Sequence, residues 1–303
     1  MINISVSEFM IVCSSILLVF LLLTEILDWT QLFPWLENEC HFPKFSFGYS
    51  EHNGPHVWKV LYPASNGSNQ SPINITTRLA VVVQPSEPLR WTGYNKGPLS
   101  MTIANNGNNV IVNTMWRSSS RPHIQGGTLT NIYDFCSMVF HWGQSNGEGS
   151  EHTLDYVRFP MELQVCHISR NFNSPSEAIA EKASDAMLIV SFFFQITNAD
   201  NPYLDHIVTN LWRIAQPGTK SHIPPFPLEW ILSPFEKHYY MYSGSLTQPP
   251  CSEIVTWIVQ PEPIAISSFQ VAQFRKLRSV DGPILLNCRP VQRLNERNVY
   301  FYE

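Results

Sequence analysis

Two short segments of this 303-residue chain place chemically capable side chains at strand spacing. In SMVFHW, residues 137–142, alternation puts Ser137, Val139 and His141 on one face and Met138, Phe140 and Trp142 on the other. In MELQVCH, residues 161–167, the split is Glu162, Gln164 and Cys166 against Met161, Leu163, Val165 and His167. Each segment thus has a mostly apolar face and one with several polar groups. An unpaired buried polar group costs about 1–3 kcal/mol, so the polar faces need partners. Either they line a pocket or they form a structural hydrogen-bond network. His141, Cys166 and Gln164 would together make a mixed metal site, provided a cation lowers the thiol pKa.

Two further patterns carry less. GQSNG, Gly143 to Gly147, matches G-x-S-x-G, but a nucleophile elbow needs a helix directly after the serine. The glycine-rich EGSEHTLD that follows reads as loop and then strand. His52 and His56 stand four apart, yet Asn53-Gly54-Pro55 between them predicts turn residues and no helix.

The elements that must position these side chains are mostly strands. RLAVVV, LSMTIANNGNNVIVN, CSMVFHW, MELQVCHIS, AMLIVSFFFQI and IVTWIV are short, rich in β-branched and aromatic residues, and bounded by turn residues. NNGNN between two alternating runs predicts a hairpin. Helical spacing is confined to two pieces. In NPYLDHIVTNLWRI the apolar positions are Leu204, Ile207, Val208, Leu211 and Trp212, with Asn201 as cap and Pro202 in the first turn. In SSFQVAQFRKL, Ser268 is the expected cap, and Val271, Phe274 and Leu277 face inward.

With 44 % hydrophobic residues, a chain of this length can bury a large core. A net charge of −5 and 14 % charged residues argue against nucleic acid as the main partner. The run Arg275-Lys276-Leu277-Arg278 reads as the solvated end of a helix. Six cysteines, at 13, 40, 136, 166, 251 and 288, show no CxxC spacing and define no disulfide framework. Phe9 to Leu23 is uncharged over 15 residues between Glu8 and Glu25, short for a spanning helix but sized for the apolar region of a signal peptide. No basic residue precedes it, and no small-x-small cleavage site follows. Sequons at Asn66, Asn69 and Asn74 agree with secretion. The expected organisation is a hydrophobic signal- or anchor-like segment at 1–24, a linker at 25–45 and one β-dominated domain at 46–303. Membrane association or the secretory pathway is the expected placement, with a cytoplasmic protein as the alternative.

Six blocks carry a family resemblance: SFGYSEHNGPHVWKVLYP, NGSNQSPINI, FHWGQSNGEGSEHTLD, FPMELQVCHIS, YSGSLTQPPCSEIVTWIV and NCRPVQRLNER. In order and approximate spacing, over about residues 46–303, they resemble the α-carbonic anhydrases. The resemblance implies a mainly β (β-rich α+β) single domain. Its expected core is a large twisted, mostly antiparallel ten-stranded sheet with a conical cleft and a few peripheral helices. Carbonic anhydrase is the standard example of a three-histidine catalytic zinc that lowers the pKa of its bound water to about 7. Motif by motif, the three ligand positions fall on Val139, His141 and Gln164, so one imidazole remains. Glu151 and Thr247 match the pair that orients the zinc hydroxide, though the expected reading of their retention is a buried carboxylate and hydroxyl that satisfy each other, and Glu162 matches the carboxylate behind the third ligand. Ser137 falls at the support position of the first ligand, and Asn108 at that of the proton shuttle.

The pattern resembles the acatalytic carbonic anhydrase-related proteins. FPMELQ and GSLTQPPCSE are most similar to type VIII, an intracellular form, while Gln164 is similar to the secreted types X and XI; Val139 departs from both, where arginine is expected. The resemblance implies an inactive binding or regulatory module with an unidentified protein partner and no cofactor. The alternative is residual zinc-dependent CO2 hydration through a non-standard metal site.

Overall fold

The computed structural model describes residues 47–303. The segments expected at 1–24 and 25–45, including Phe9 to Leu23, lie outside the described residues. Among the described residues, no helix is long and apolar enough to cross a membrane.

In chain order the strands are β1 (Asn74–Ile75), β2 (Val81–Val83), β3 (Leu89–Thr92), β4 (Ser100–Asn105), β5 (Val110–Met115), β6 (His123–Gly126), β7 (Tyr133–Trp142), β8 (Thr153–Leu154), β9 (Met161–Ser169), β10 (Met187–Thr197), β11 (Lys220–Ile223), β12 (Tyr239–Gly244), β13 (Val255–Ser267), β14 (Arg278–Ser279), β15 (Gly282–Pro283) and β16 (Tyr300–Tyr302). Twelve of them form one sheet. Its main path, β11-β4-β5-β7-β9-β10-β13-β12-β16-β2, contains the expected ten strands. The other two form a ribbon, with β6 on β7 and β3 on β6. β5 leaves the edge of β7 at Ser137, and β6 takes up the same edge at Asp134. Within this sheet only β10 with β13 and β16 with β2 run parallel, so it is mixed but mostly antiparallel.

The strands at the centre are long, and β7, β9 and most of β10 are buried. Their two faces feed two cores. Met138, Phe140, Trp142, Met161, Leu163 and Val165 pack on one side with Phe194 and Phe274. Val139, Cys166 and Ile168 pack on the other with Ile111, Leu246 and Trp257. The alternation read from the sequence therefore holds over residues 137–142 and 161–167. A bulge between Phe135 and Ser137 shifts the register beyond that stretch, which is why Phe135 joins the same core as Met138. The β4–β5 hairpin closes on the NNGNN turn as its composition predicts.

Three helical expectations need correction. NPYLDHIVTNLWRI is not one helix but a 3-10 turn at Pro202–Leu204, a single α turn at Asp205–Val208 and a second 3-10 turn at Leu211–Ile214. The change of pitch rotates Trp212 outward, and it is 73 % exposed while Leu211 is buried. Pro55 does not block a helix; it starts one, Pro55–Leu61, at the position where its missing N–H costs nothing, so His56 is helical. The helix Ser268–Phe274 is capped by Ser267, one residue earlier than expected, in a reciprocal capping box with Gln270. Beyond its end, Arg275 donates to the carbonyl of Gly143 and to Asn146, tying the helix to the loop after β7.

Candidate functional site

β7 and β9 lie antiparallel, with Val139 directly opposite Gln164 and His141 opposite Glu162. His141 is fully buried. Its Nδ1 lies 2.8 Å from the main-chain carbonyl oxygen of Asn287. A carbonyl only accepts, so Nδ1 carries the proton, and in the neutral ring Nε2 keeps its lone pair. That Nε2 is buried with no hydrogen-bond partner. The hydroxyls of Tyr49 and Ser137 are buried in the same condition. Asn287 also fixes the end of β7 with its side chain: Oδ1 accepts from the Trp142 N–H at 2.7 Å, and Nδ2 donates to the carbonyls of Phe140 and Asn108.

The loop between β7 and β9 brings Glu151 to this point. Gly149 permits the approach, because a Cβ there would collide with the carbonyl oxygen of Pro160. Glu151 Oε1 accepts from the Arg289 N–H at 2.8 Å and lies 3.6 Å from His141 Nδ1. Its Oε2 accepts from Gln164 Nε2 at 2.6 Å.

Glu162 is the most heavily bonded group in the site. Oε2 accepts from the N–H groups of Glu151 and His152, each at 2.8 Å. Oε1 accepts from Ser191 Oγ at 2.9 Å and Gln164 Nε2 at 3.1 Å, and pairs with His152 Nδ1 at 2.8 Å. Burial pushes this carboxyl up, but the adjacent His152 ring and the His152 N–H, with His141 close by, outweigh it and hold the group down at about 2. From His152 Nε2 the network continues to the Tyr242 hydroxyl at 2.7 Å and on to Ser71.

Gln164 therefore spends both amide hydrogens on carboxylates, one on Glu151 and one on Glu162. This overturns one expectation. Glu151 and Thr247 were expected to satisfy each other, yet no hydrogen bond joins them. Thr247 is buried, and the Glu151 oxygens accept from Gln164 and the Arg289 N–H instead. Asn108 lies in the β4–β5 turn and donates through Nδ2 to the Phe47 carbonyl at 3.0 Å. An amide has no proton to relay near neutral pH.

A zinc ion in this fold family would need nitrogen or sulfur donors converging on one point. At the three matched positions the chain offers one imidazole lone pair, the isopropyl group of Val139 and an amide locked between two carboxylates. Cys166 is buried, and burial and the neighbouring Cys136 push its thiol pKa above the ordinary range. Among the described residues, no group of three His, Cys, Asp or Glu side chains is arranged to hold a metal ion. The donor set does not fit a three-histidine site. Ser145 of the G-x-S-x-G match is exposed and followed by turns rather than a helix, so no nucleophile elbow forms.

His152, Asn287 and Arg289 belong to the site without any local signal of it in the sequence. All three sit in the quoted blocks GSEHTLD and NCRP, but nothing in their spacing shows that they meet β7 and β9 from distant parts of the chain.

Residues 53–303 match the family model described as eukaryotic-type carbonic anhydrase. The chain is 37 % identical over 259 residues to carbonic anhydrase 7 of Homo sapiens, covering 84 % of this chain and 96 % of that protein. Carbonic anhydrase 1 of Mus musculus is also 37 % identical over 259 residues, with 84 % and 97 % covered. The chain belongs to the eukaryotic-type carbonic anhydrase family.

Proposed function

We propose that this family member does not hydrate CO2 and works as a binding or regulatory module, in the manner of the acatalytic carbonic anhydrase-related proteins. The observation that carries the reading is the Val139–Gln164 pair beside a single imidazole. In active relatives the metal supplies a hydroxide nucleophile at neutral pH. No side chain in this site replaces it: Glu151 and Glu162 accept hydrogen bonds through every carboxylate oxygen, and His141 has only its unprotonated Nε2 to offer. What persists is the scaffold. A fold that keeps its core after losing its chemistry can still act through its surface or cleft, here toward a protein partner. FPMELQ and GSLTQPPCSE support a likeness to type VIII, and Gln164 to types X and XI. The apolar run Phe9 to Leu23 supports placement at a membrane or in the secretory pathway.

Stopped-flow CO2 hydration by the purified full chain, with zinc in the buffer, tests the reading. The expected rate is that of buffer alone. Zinc-dependent turnover would overturn it and favour a non-standard metal site at His141.

A further inference from the structure

Three sequons lie among the described residues: Asn66-Gly67-Ser68, Asn69-Gln70-Ser71 and Asn74-Ile75-Thr76. The fold treats them differently. Asn74 is half-buried where β1 meets β8; its Oδ1 accepts from Thr153 Oγ1 and the Tyr156 N–H, both at 2.7 Å, and its Nδ2 donates to Thr76 Oγ1. A bulky substituent on that nitrogen would displace the junction. Asn69 is exposed, but the serine of its sequon, Ser71, is fully buried and bonded to Tyr242 and Ser245.

Asn66, Gly67 and Ser68 are all exposed, at the end of the 3-10 turn Pro63–Asn66 and in the bend after it. The bend is pinned from below. Glu253 Oε1 accepts from the Asn69 N–H at 2.7 Å and from Gln70 Nε2 at 2.9 Å, and Gly67 lies so close to this carboxylate that a Cβ would strike it. Asn66 Nδ2 makes a single bond, to the Lys59 carbonyl at 2.7 Å. Beside it runs a polar groove of ≈ 510 Å³ lined by Lys59, Asn66, Gln292, Arg293 and Asn295, whose amides and cations suit sugar hydroxyls.

We propose that Asn66 carries an N-linked glycan whose first sugars lie along this groove; the inference rests on the secretory placement proposed above. The Nδ2–C1 bond forms as the bond from sugar C1 to the oxygen of a lipid-pyrophosphate carrier breaks. The carrier leaves as its pyrophosphate, and Nδ2 gives up one proton. The second amide hydrogen remains for Lys59, so the modification needs no rearrangement of the bend. A surface sequon of this kind tolerates the bulk that Asn74 does not.

The test expresses the full chain in cultured mammalian cells and makes two separate readings. Protease protection in isolated microsomes reports placement; peptide mass analysis, with and without peptide-N-glycosidase, reports the glycan. The expected result is a protected chain with Asn66 converted to Asp on glycan release, and a mobility shift that Asn66→Gln abolishes. Asn74→Gln should leave that shift unchanged. A protected chain with unmodified Asn66 overturns the inference and leaves the placement standing. A chain digested from the cytosolic side, and unmodified, overturns both.

Discussion

Val139 and Gln164 face each other across β7 and β9, an isopropyl group against an amide whose hydrogens are held by Glu151 and Glu162. If these two positions are what separates this chain from a zinc enzyme, restoring them should restore the metal. Val139→His with Gln164→His should take up zinc at one equivalent, measured by mass spectrometry after dialysis, because His141 already presents a free Nε2. Losing even a group that supports a ligand costs about 10–100-fold in metal affinity, so each single variant should bind more than about 100-fold more weakly than the double. Turnover should stay below that of active relatives, since Thr247 and Glu151 are not hydrogen-bonded.

Glu162 makes the fold sensitive to acid. Its folded pKa of about 2 lies below the unfolded value of about 4.3. The unfolded state then binds more protons between these values, so the contribution to stability is present above about pH 4.3 and fades as pH falls toward 2. Its size is on the order of 3 kcal/mol. Urea denaturation at pH 7, 4.5 and 3 should show Glu162→Gln destabilised by about that amount at pH 7. The gap to the unsubstituted protein should narrow at pH 3. A gap that is constant with pH would mean the carboxylate is not held ionised by its donors.

Asn287 predicts a stability effect at a residue that carries no chemistry. Asn287→Ala removes the acceptor of the Trp142 N–H and the donor to Phe140 and Asn108, all around the buried end of β7. Orphaned buried groups cost about 1–3 kcal/mol each, and a total loss of roughly 2–4 kcal/mol is expected by urea denaturation. A change under about 0.5 kcal/mol would contradict the role given to this clasp.

The broken helix after Asn201 can be checked directly. Leu211 is buried, so Leu211→Ala should cost about 2–5 kcal/mol. Trp212 is exposed, and Trp212→Ala should stay within about 0.5 kcal/mol. Equal losses from both would restore the single amphipathic helix that the spacing predicts.

The strands were legible because alternation is a local signal: Val139 and His141 had to share a face, and so did Gln164 and Cys166. The β3–β6 ribbon was not, since it depends on which edge of β7 stays unpaired, a property of the assembled sheet. At the site, sequence showed which residue types were present but not how they pair. Glu151 had an expected partner in Thr247, and only the packed structure shows that it accepts from Gln164 and the Arg289 N–H instead. His152 and Asn287 were invisible for the same reason, as their roles come from contacts across 10 and 146 positions of the chain. Trp212 misled because helical spacing predicts burial only if the pitch stays α-helical.

The most direct measurement is the zinc content of the unsubstituted full chain, purified without chelators, equilibrated with zinc and dialysed, then read by inductively coupled plasma mass spectrometry. Far less than one equivalent is expected, given the Val139–Gln164 pair beside a single imidazole. Near-stoichiometric zinc, lost on His141→Ala, would contradict it.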